Sequence, residues 1–574
     1  MSKTSGWSGV GVRQAPVLGI LAAFAAIPAM SQDAYVLGVW TFLLLNILVV
    51  IGLDLLLGYA GQLSLGHGIF VAIGAYASGL LTTKAGWSGW AAMPVGTIAA
   101  SLLAAAVAVP TLRLRGYYLA LATLGFPVLF DAMIRVTSQW SGGSSGVISI
   151  PRLRLGGYIL RDPLVYYYLV LGVVAVVLIV LWNLAGSRLG LKLRAIHADE
   201  TAASARGINV VFLKASVFVA SAAIAALSGS LYVHNVQFVA PDTFGLNYSL
   251  ILVIMLVVGG MGRIWGGILG VVLLGWMPEL LREAATWQPV IFGSILATIM
   301  LFAPNGLAGV VRRRSFFAPV TRKVPNTTFH RDERVLTVNE IEKAFGGVQA
   351  VTGLSFHVDA GEIKSIIGPN GAGKSTALAL ISGAIATDGG TIKLCGQSVE
   401  TAPAFKRAQL GLGRTFQHAR LIPTLTVYEN ILLGASVLGS ATQRDEHQAS
   451  HVLQQVGLEH VAQHYPDQTN QYERRLTEIG TAFAGNPRLL LLDEPGAGLS
   501  SADIEQLASL LRELKANGRA IVLVDHIMSL VLPLSDSVLV LNSGMPIIDS
   551  DPKTVISDPK VRLAYLGESG DVHA

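Results

Sequence analysis

Gly368-Pro369-Asn370-Gly371-Ala372-Gly373-Lys374-Ser375-Thr376 follows the apolar run Glu362-Ile-Lys-Ser-Ile-Ile and opens a second apolar stretch with helical character. The pattern GxxxxGK[ST], placed between a buried strand and a helix, is a phosphate-binding loop. Its glycines let successive backbone N–H groups face phosphate oxygens, and the start of the following helix favours an anion. Lys374 is expected to reach the β- and γ-phosphates of a nucleoside triphosphate, and Ser375 to ligate Mg²⁺. Gly368 through Thr376 form the predicted cradle.

About 120 residues beyond Lys374, Arg488-Leu-Leu-Leu-Leu-Asp493-Glu494-Pro495 reads as a buried strand ending in two carboxylates. An acid at such a strand end holds Mg²⁺, and its neighbour polarises the attacking water. Asp493 is therefore assigned to the metal and Glu494 to general base. A nucleotide-hydrolysing α/β domain follows from the two elements together; either alone also suits a buried strand with a polar end.

Outward from this core the composition changes. Through Val311 the chain carries 16 Lys and Arg against 9 Asp and Glu; beyond it, 25 against 27. Charged residues thus make up about 8% of the first part and about 20% of the second, where a soluble domain has about a quarter. The first part reads as lipid-embedded and the second as globular. The excess positive charge lies in the membrane part, as basic cytoplasmic loops produce, so nucleic acid is not implied. Cys395 is the only cysteine, which excludes an intramolecular disulfide and a cysteine-based metal site.

At roughly 20 apolar residues per helix, about ten spans are expected, near residues 16–31, 35–57, 63–82, 91–110, 117–136, 163–183, 210–232, 246–262, 264–281 and 289–303. A cleaved signal peptide is the alternative for the first. With the N-terminus inside, Arg113 and Arg115, then Arg188, Lys192, Arg194 and Arg206, then Arg263, then Arg312 to Arg314 all fall in inner loops. An outer loop with Arg152, Arg154 and Arg161 breaks that pattern. Gly58-Tyr-Ala-Gly-Gln62-Leu-Ser64-Leu-Gly-His67 is either a broken segment lining a translocation path or a short interfacial turn. Asp54 and Asp131 fall within apolar spans, either facing the bundle interior or, for Asp131, nearer the headgroups. Glu200 to Ala205, ending at Gly207, is expected to be a short exposed helix that docks on a soluble domain.

The second half resembles the ATP-binding subunit of ABC transporters over nearly all of residues 335–565. Phe345, in Lys343-Ala-Phe-Gly-Gly, stands where that family stacks adenine. Gln417, in Arg414-Thr-Phe-Gln-His, matches the glutamine linking metal and transmembrane domain, and His526, in Val522-Leu-Val-Asp-His, the histidine sensing the γ-phosphate. The resemblance is closer to the branched-chain amino acid importers. Arg414-Thr-Phe-Gln-His-Ala-Arg-Leu and Thr426-Val-Tyr-Glu-Asn-Ile look like that ATPase. Gly58 to His67, Leu112-Arg-Leu-Arg-Gly-Tyr-Tyr-Leu-Ala, Trp140-Ser-Gly-Gly-Ser-Ser-Gly and Val257-Val-Gly-Gly-Met-Gly-Arg-Ile-Trp-Gly look like its permease, with Glu200–Gly207 as coupling helix.

The resemblance implies an inner-membrane, multi-pass permease (1–311) joined by a linker (312–334) to a cytoplasmic ATPase (335–574). Its cofactors are ATP and Mg²⁺. Its partners are a lipid bilayer, a second permease, a second ATPase with an intact signature loop, and a periplasmic solute-binding protein; nucleic acid is not among them. The implied activity is ATP-driven import of branched-chain or related amino acids, or small amides and carboxylates. A membrane-bound regulator that binds ATP without pumping is the alternative. Exporters, with six long spans, and nucleotide kinases, which have no use for Gln417 and His526, fit less well.

The chain departs from the family chiefly in one place, and Ser500, in Gly-Ala-Gly-Leu-Ser after Pro495, also stands where many relatives carry Asp or Asn. The family's LSGGQ-type signature loop, which completes the ATP site of the opposite subunit, corresponds here to Thr469-Asn470-Gln471-Tyr472-Glu473. Tyrosine replaces the close-approach glycine. The expectation is an impaired site on the partner, a competent one on this chain, and a heteromeric assembly.

Overall fold

The structure, a computed structural model, describes residues 8–111, 117–310, 317–320, 333–438 and 442–566. Lys3, Arg113, Arg115, Arg312 to Arg314 and most of the expected linker lie outside the described residues. Two compact units form: Met1–Leu193 with Val211–Arg313, and Arg194–Val210 with Arg314–Ala574.

In the first unit every expected span coincides with a helix: Ser8–Met30, Ala34–Asp54, Gly68–Lys84, Gly89–Thr111, Tyr117–Val136, Pro163–Ala185, Val210–Val236, Leu246–Gly259, Ile264–Leu280 and Gln288–Phe302. Caps fix several starts. Asp33 accepts the Tyr35 N–H at 2.9 Å, and Asp162, ahead of Pro163 in the first turn, accepts the Leu164 N–H at 2.8 Å. The count of ten full crossings is not carried by length. Among the described residues five helices are long and apolar enough, and a sixth span is a pair, Leu121–Val136 and Ser138–Ser145, bent by 86°. The remaining four apolar stretches, Pro16–Met30, Gly68–Lys84, Ile264–Leu280 and Gly293–Gly309, have 10–17 residues, and 17 residues rise only about 26 Å.

Ala34–Asp54 is buried continuously from Leu43 to Asp54, which explains why it is apolar all round. It widens into a π-helical turn at Leu55–Tyr59 before Gly61–His67 runs without helix. Gln62, Ser64 and His67 are buried. Thr123 Oγ1 accepts the Leu65 N–H at 3.1 Å, Ser249 Oγ accepts the Gly68 N–H at 3.0 Å, and His67 Nε2 lies 3.1 Å from Ser221 Oγ. This is irregular backbone whose polar side chains are packed inside protein, the setting in which membrane proteins tolerate such backbone. Asp54 is fully buried and its Oδ1 accepts the Gly262 N–H at 2.6 Å. Asp131 is partly exposed and pairs with Arg135 at 2.9 Å, so it does not face a closed bundle interior.

The second unit is built on two sheets. The larger has six strands in the order Met545–Ser550, Ser537–Asn542, Ile363–Ile367, Ala520–Val524, Leu489–Asp493, Leu412–Arg414, all parallel except the first, which pairs antiparallel. Its central strands are apolar without alternation because both faces are covered. A four-stranded antiparallel sheet (Val348–Asp359, Arg334–Phe345, Gly389–Leu394, Gln397–Ser398) shares one apolar core with it. Register places Ser365 beside Leu523 and Val524 beside Asp493. The carboxyl ends of three adjacent strands therefore open together, where ligands bind in parallel sheets.

Candidate nucleotide site

The loop Gly368–Gly373 leaves the Ile363–Ile367 strand and enters the Lys374–Ile381 helix. Gly373 caps that helix at φ +95° with no side-chain hydrogen bond, and a Cβ there would lie 2.3 Å from the Ala350 carbonyl oxygen. Gly368 is as constrained, with Leu541 O 2.1 Å from such a Cβ. Backbone passes too close at both ends for any other residue, and the first-turn donors of the helix stay free of side-chain caps. Lys374 Nζ donates to the carbonyls of Gly368 and Pro369, both at 2.8 Å, so the ammonium lies over its own loop. Burial lowers the Lys374 pKa, and the Glu494 and Asp493 carboxylates oppose that shift.

Asp493 ends its strand 3% exposed. Burial pushes its carboxyl up to about 6 despite the opposing Arg414 guanidinium. Thr415 Oγ1 accepts its N–H at 3.1 Å, while Oδ1 is buried with no hydrogen-bond partner among the described residues. Glu494 adopts φ +46°, a left-handed conformation that costs a non-glycine residue about 1–3 kcal/mol. Its N–H donates to Val524 O at 2.7 Å, and Gln417 Nε2 donates to its Oε2 at 3.1 Å. Lys374, Asp493, Glu494 and Gln417 thus form one cluster. Mg²⁺ fits it: an orphaned buried carboxylate oxygen, joined by hydroxyl, amide and phosphate oxygens, is a donor set for a small hard cation.

The other two expected residues stand apart. Phe345 ends its strand half exposed, with the Lys343 ammonium 5.7 Å from its ring centre. The His526 side chain is largely exposed, and its Nδ1 lies 3.8 Å from Asp525. Asp525 was not anticipated from the sequence. Buried, it accepts the N–H groups of His526 (2.7 Å), Ile527 (3.0 Å) and Gly496 (2.9 Å), tying the turn after Glu494 to the turn bearing His526. Arg475 and Glu478, an ion pair at 3.0 Å, were missed as well. An Arg and a Glu three apart on the buried side of a helix were the available signal.

The divergent signature segment forms a helix start. Asn470 Oδ1 accepts the Glu473 N–H at 2.8 Å, and Glu473 Oε2 accepts the Asn470 N–H at 2.9 Å, a reciprocal capping box on Gln471–Ala484. Tyr472 Oη donates to Gln506 at 3.1 Å. A cavity of about 510 Å³ lies between this helix start and Glu494, with Gln417, Gln471, Arg474 and Gly498 on its walls.

Residues 35–304 match the family model described as branched-chain amino acid transport system / permease component, and residues 351–497 the one described as ABC transporter. The high-affinity branched-chain amino acid transport system permease protein LivM of Escherichia coli is 30% identical over 295 residues, 47% of this chain and 69% of that protein. The high-affinity branched-chain amino acid transport ATP-binding protein BraF of Pseudomonas aeruginosa is 34% identical over 251 residues, 41% of this chain and 98% of that protein. The chain belongs to the branched-chain amino acid ABC transporter family. It joins a permease and an ATPase of that family in one polypeptide, and ATP hydrolysis by its second half is coupled to transport. A nucleotide-free ATP-binding cassette of an ABC transporter covers 41% of this chain and 100% of its own, at 29% identity and a TM-score of 0.38. ABC transporters of this family bind ATP, are multi-pass membrane proteins, and work with further permease, ATPase and substrate-binding subunits.

Proposed function

We propose that this chain imports branched-chain amino acids, or closely related amino acids, amides or carboxylates, across the inner membrane, with residues 335–574 in the cytoplasm and the break between the halves at 312–334. The supporting observation is the hydrogen bond from Gln417 to Glu494 beside the buried Asp493. A carboxylate so oriented can take a proton from water attacking the γ-phosphate of ATP. The loop N–H groups and Lys374 hold the phosphates, and Phe345 offers the exposed face of its ring to the adenine. Ser375, Gln417 and Asp493 would hold Mg²⁺, whose charge offsets that of the phosphate oxygens. His526, whose N–H is held by Asp525, would sense the γ-phosphate. A regulator that never pumps has less in its favour, because such a protein needs no ordered base.

The partners are a second permease, a periplasmic solute-binding protein and a second ATPase of different sequence. The Asn470–Glu473 capping box supports the last of these. Two N–H groups of that helix start are taken by the chain's own side chains, and one of those side chains is anionic, which disfavours a phosphate there. The site completed by this segment on a partner is weak, and the one built on Lys374 and Glu494 turns over. Leucine uptake into vesicles containing the reconstituted subunits tests the reading. Accumulation that depends on ATP and on Glu494 is expected; accumulation that continues after Glu494→Gln overturns it.

A further inference from the structure

Residues 194–210 lie between two apolar helices in the sequence, yet they pack within the second unit. Asp199 caps Glu200–Ala205 by accepting the Ala202 N–H at 2.9 Å. Its other oxygen meets Arg420 Nη1 at 2.8 Å, while Arg206 Nη2 donates to the Arg420 carbonyl at 2.7 Å. Both ends of Arg420 are therefore held by this segment.

Arg420 is three residues from Gln417, and the backbone between them is pinned by one buried ion pair. Glu478 Oε1 accepts the N–H groups of Phe416 at 3.0 Å and Arg420 at 3.4 Å. Arg475 donates to the carbonyls of Phe416 and Gln417, both at 3.0 Å, and to Glu478 at 3.0 Å. The Arg414 and Arg420 guanidinium groups lie 5.0 and 4.8 Å from the Phe416 ring centre. Arg475 and Glu478 are 8% and 2% exposed. Desolvation leaves such a pair little net stability, so stability alone does not account for it. Its distinctive effect is geometric, since it fixes both carbonyls and N–H groups of a single short turn.

We propose that Arg475 and Glu478 are positioning residues that make residues 416–420 one rigid body, so that displacement of Gln417 at Glu494 is delivered undiminished to Asp199 and Arg206. The proposal rests on the transport reading above. Without the pair the turn is compliant: Gln417 still reaches Glu494, but its movement dissipates before Arg420.

Burial lowers the Arg206 pKa to about 10, with Glu478 and Asp199 opposing the shift. Its guanidinium remains charged at physiological pH and responds to the same Glu478 that holds the turn.

The test is solute moved per ATP hydrolysed, measured in vesicles with the full chain and its partner subunits, for Glu478→Gln, the double variant Arg475→Met/Glu478→Leu, and Arg206→Met. The apolar double variant guards against misfolding, because a well-packed apolar replacement of a buried pair is tolerated better than a lone buried charge. Basal hydrolysis is expected to stay within about twofold while solute per ATP falls about tenfold. Combining Arg206→Met with the double variant should add no further loss, because both cut the same path. An unchanged ratio overturns the proposal, whether both activities survive or both fall together. Failure of the unaltered protein to accumulate solute with ATP instead sinks the transport reading on which the proposal stands.

Discussion

Two helix starts in the ATPase domain face the same problem and solve it in opposite ways. Lys374–Ile381 begins at Gly373 with no side-chain cap, leaving its first-turn donors and positive dipole end for a ligand. Gln471–Ala484 begins at Asn470 and closes on itself through Glu473. The first start is an anion site because the chain supplies no anion of its own; the second has already bound its own carboxylate. A helix terminus is therefore only as receptive as its cap is poor.

The contrast breaks most sharply at Lys374. Lys374→Ala should reduce ATP hydrolysis and uptake by about 100-fold or more, since it removes the cation proposed above to hold the phosphates. Retained hydrolysis in the purified assembly would contradict the assignment of the open start. Next in size is an asymmetry. Glu494→Gln should abolish uptake, whereas the equivalent change in the partner ATPase should cost no more than about tenfold; equal losses would show that the capped start is receptive after all.

A smaller effect sharpens the comparison from the other side. Tyr472→Gly combined with Glu473→Gln clears the close approach and removes the resident charge. Hydrolysis by the paired assembly should then rise a few-fold, while the weakened cap lowers stability by about 1 kcal/mol, readable as a lower melting temperature. The smallest effect is in pH dependence. Because burial raises the Asp493 pKa to about 6, hydrolysis should decline as pH falls through that value, and added Mg²⁺ should move the decline to lower pH by competing with the proton. The linkage has the opposite sign for the nucleotide-free fold. That fold takes up the proton before the unfolded chain does, so Asp493 contributes greater stability as pH drops from about 6 toward the ordinary carboxylate range.

Features legible in the sequence were those written in consecutive residues. The glycine loop, the strand ending in Asp493-Glu494 and the apolar spans each carry their pattern locally, and the structure has a loop, a strand and ten helices at those places. What was not legible depends on residues brought together from afar. Glu478 reaches Phe416 across 62 positions, and Asp525 reaches Gly496 across 29, with no periodicity to advertise either. The number of full crossings is unconfirmed for a different reason. Composition reports apolarity and not length, and helices such as Gly68–Lys84 and Ile264–Leu280 stop short. The burial of Gln62, Ser64 and His67 was equally hidden, because a glycine-rich polar run reads alike at an interface and in a protein interior.

The membership of residues 194–210 in the second unit has a practical consequence for anyone recombining these proteins. Severing the polypeptide near residue 320 would leave the ATPase without the segment that holds Arg420 and Gln409, because that segment is encoded more than a hundred residues upstream. A chimera that borrows the ATPase of a relative must graft that short insert along with it, or else match Gln409, Arg420 and Val437 to a foreign plug.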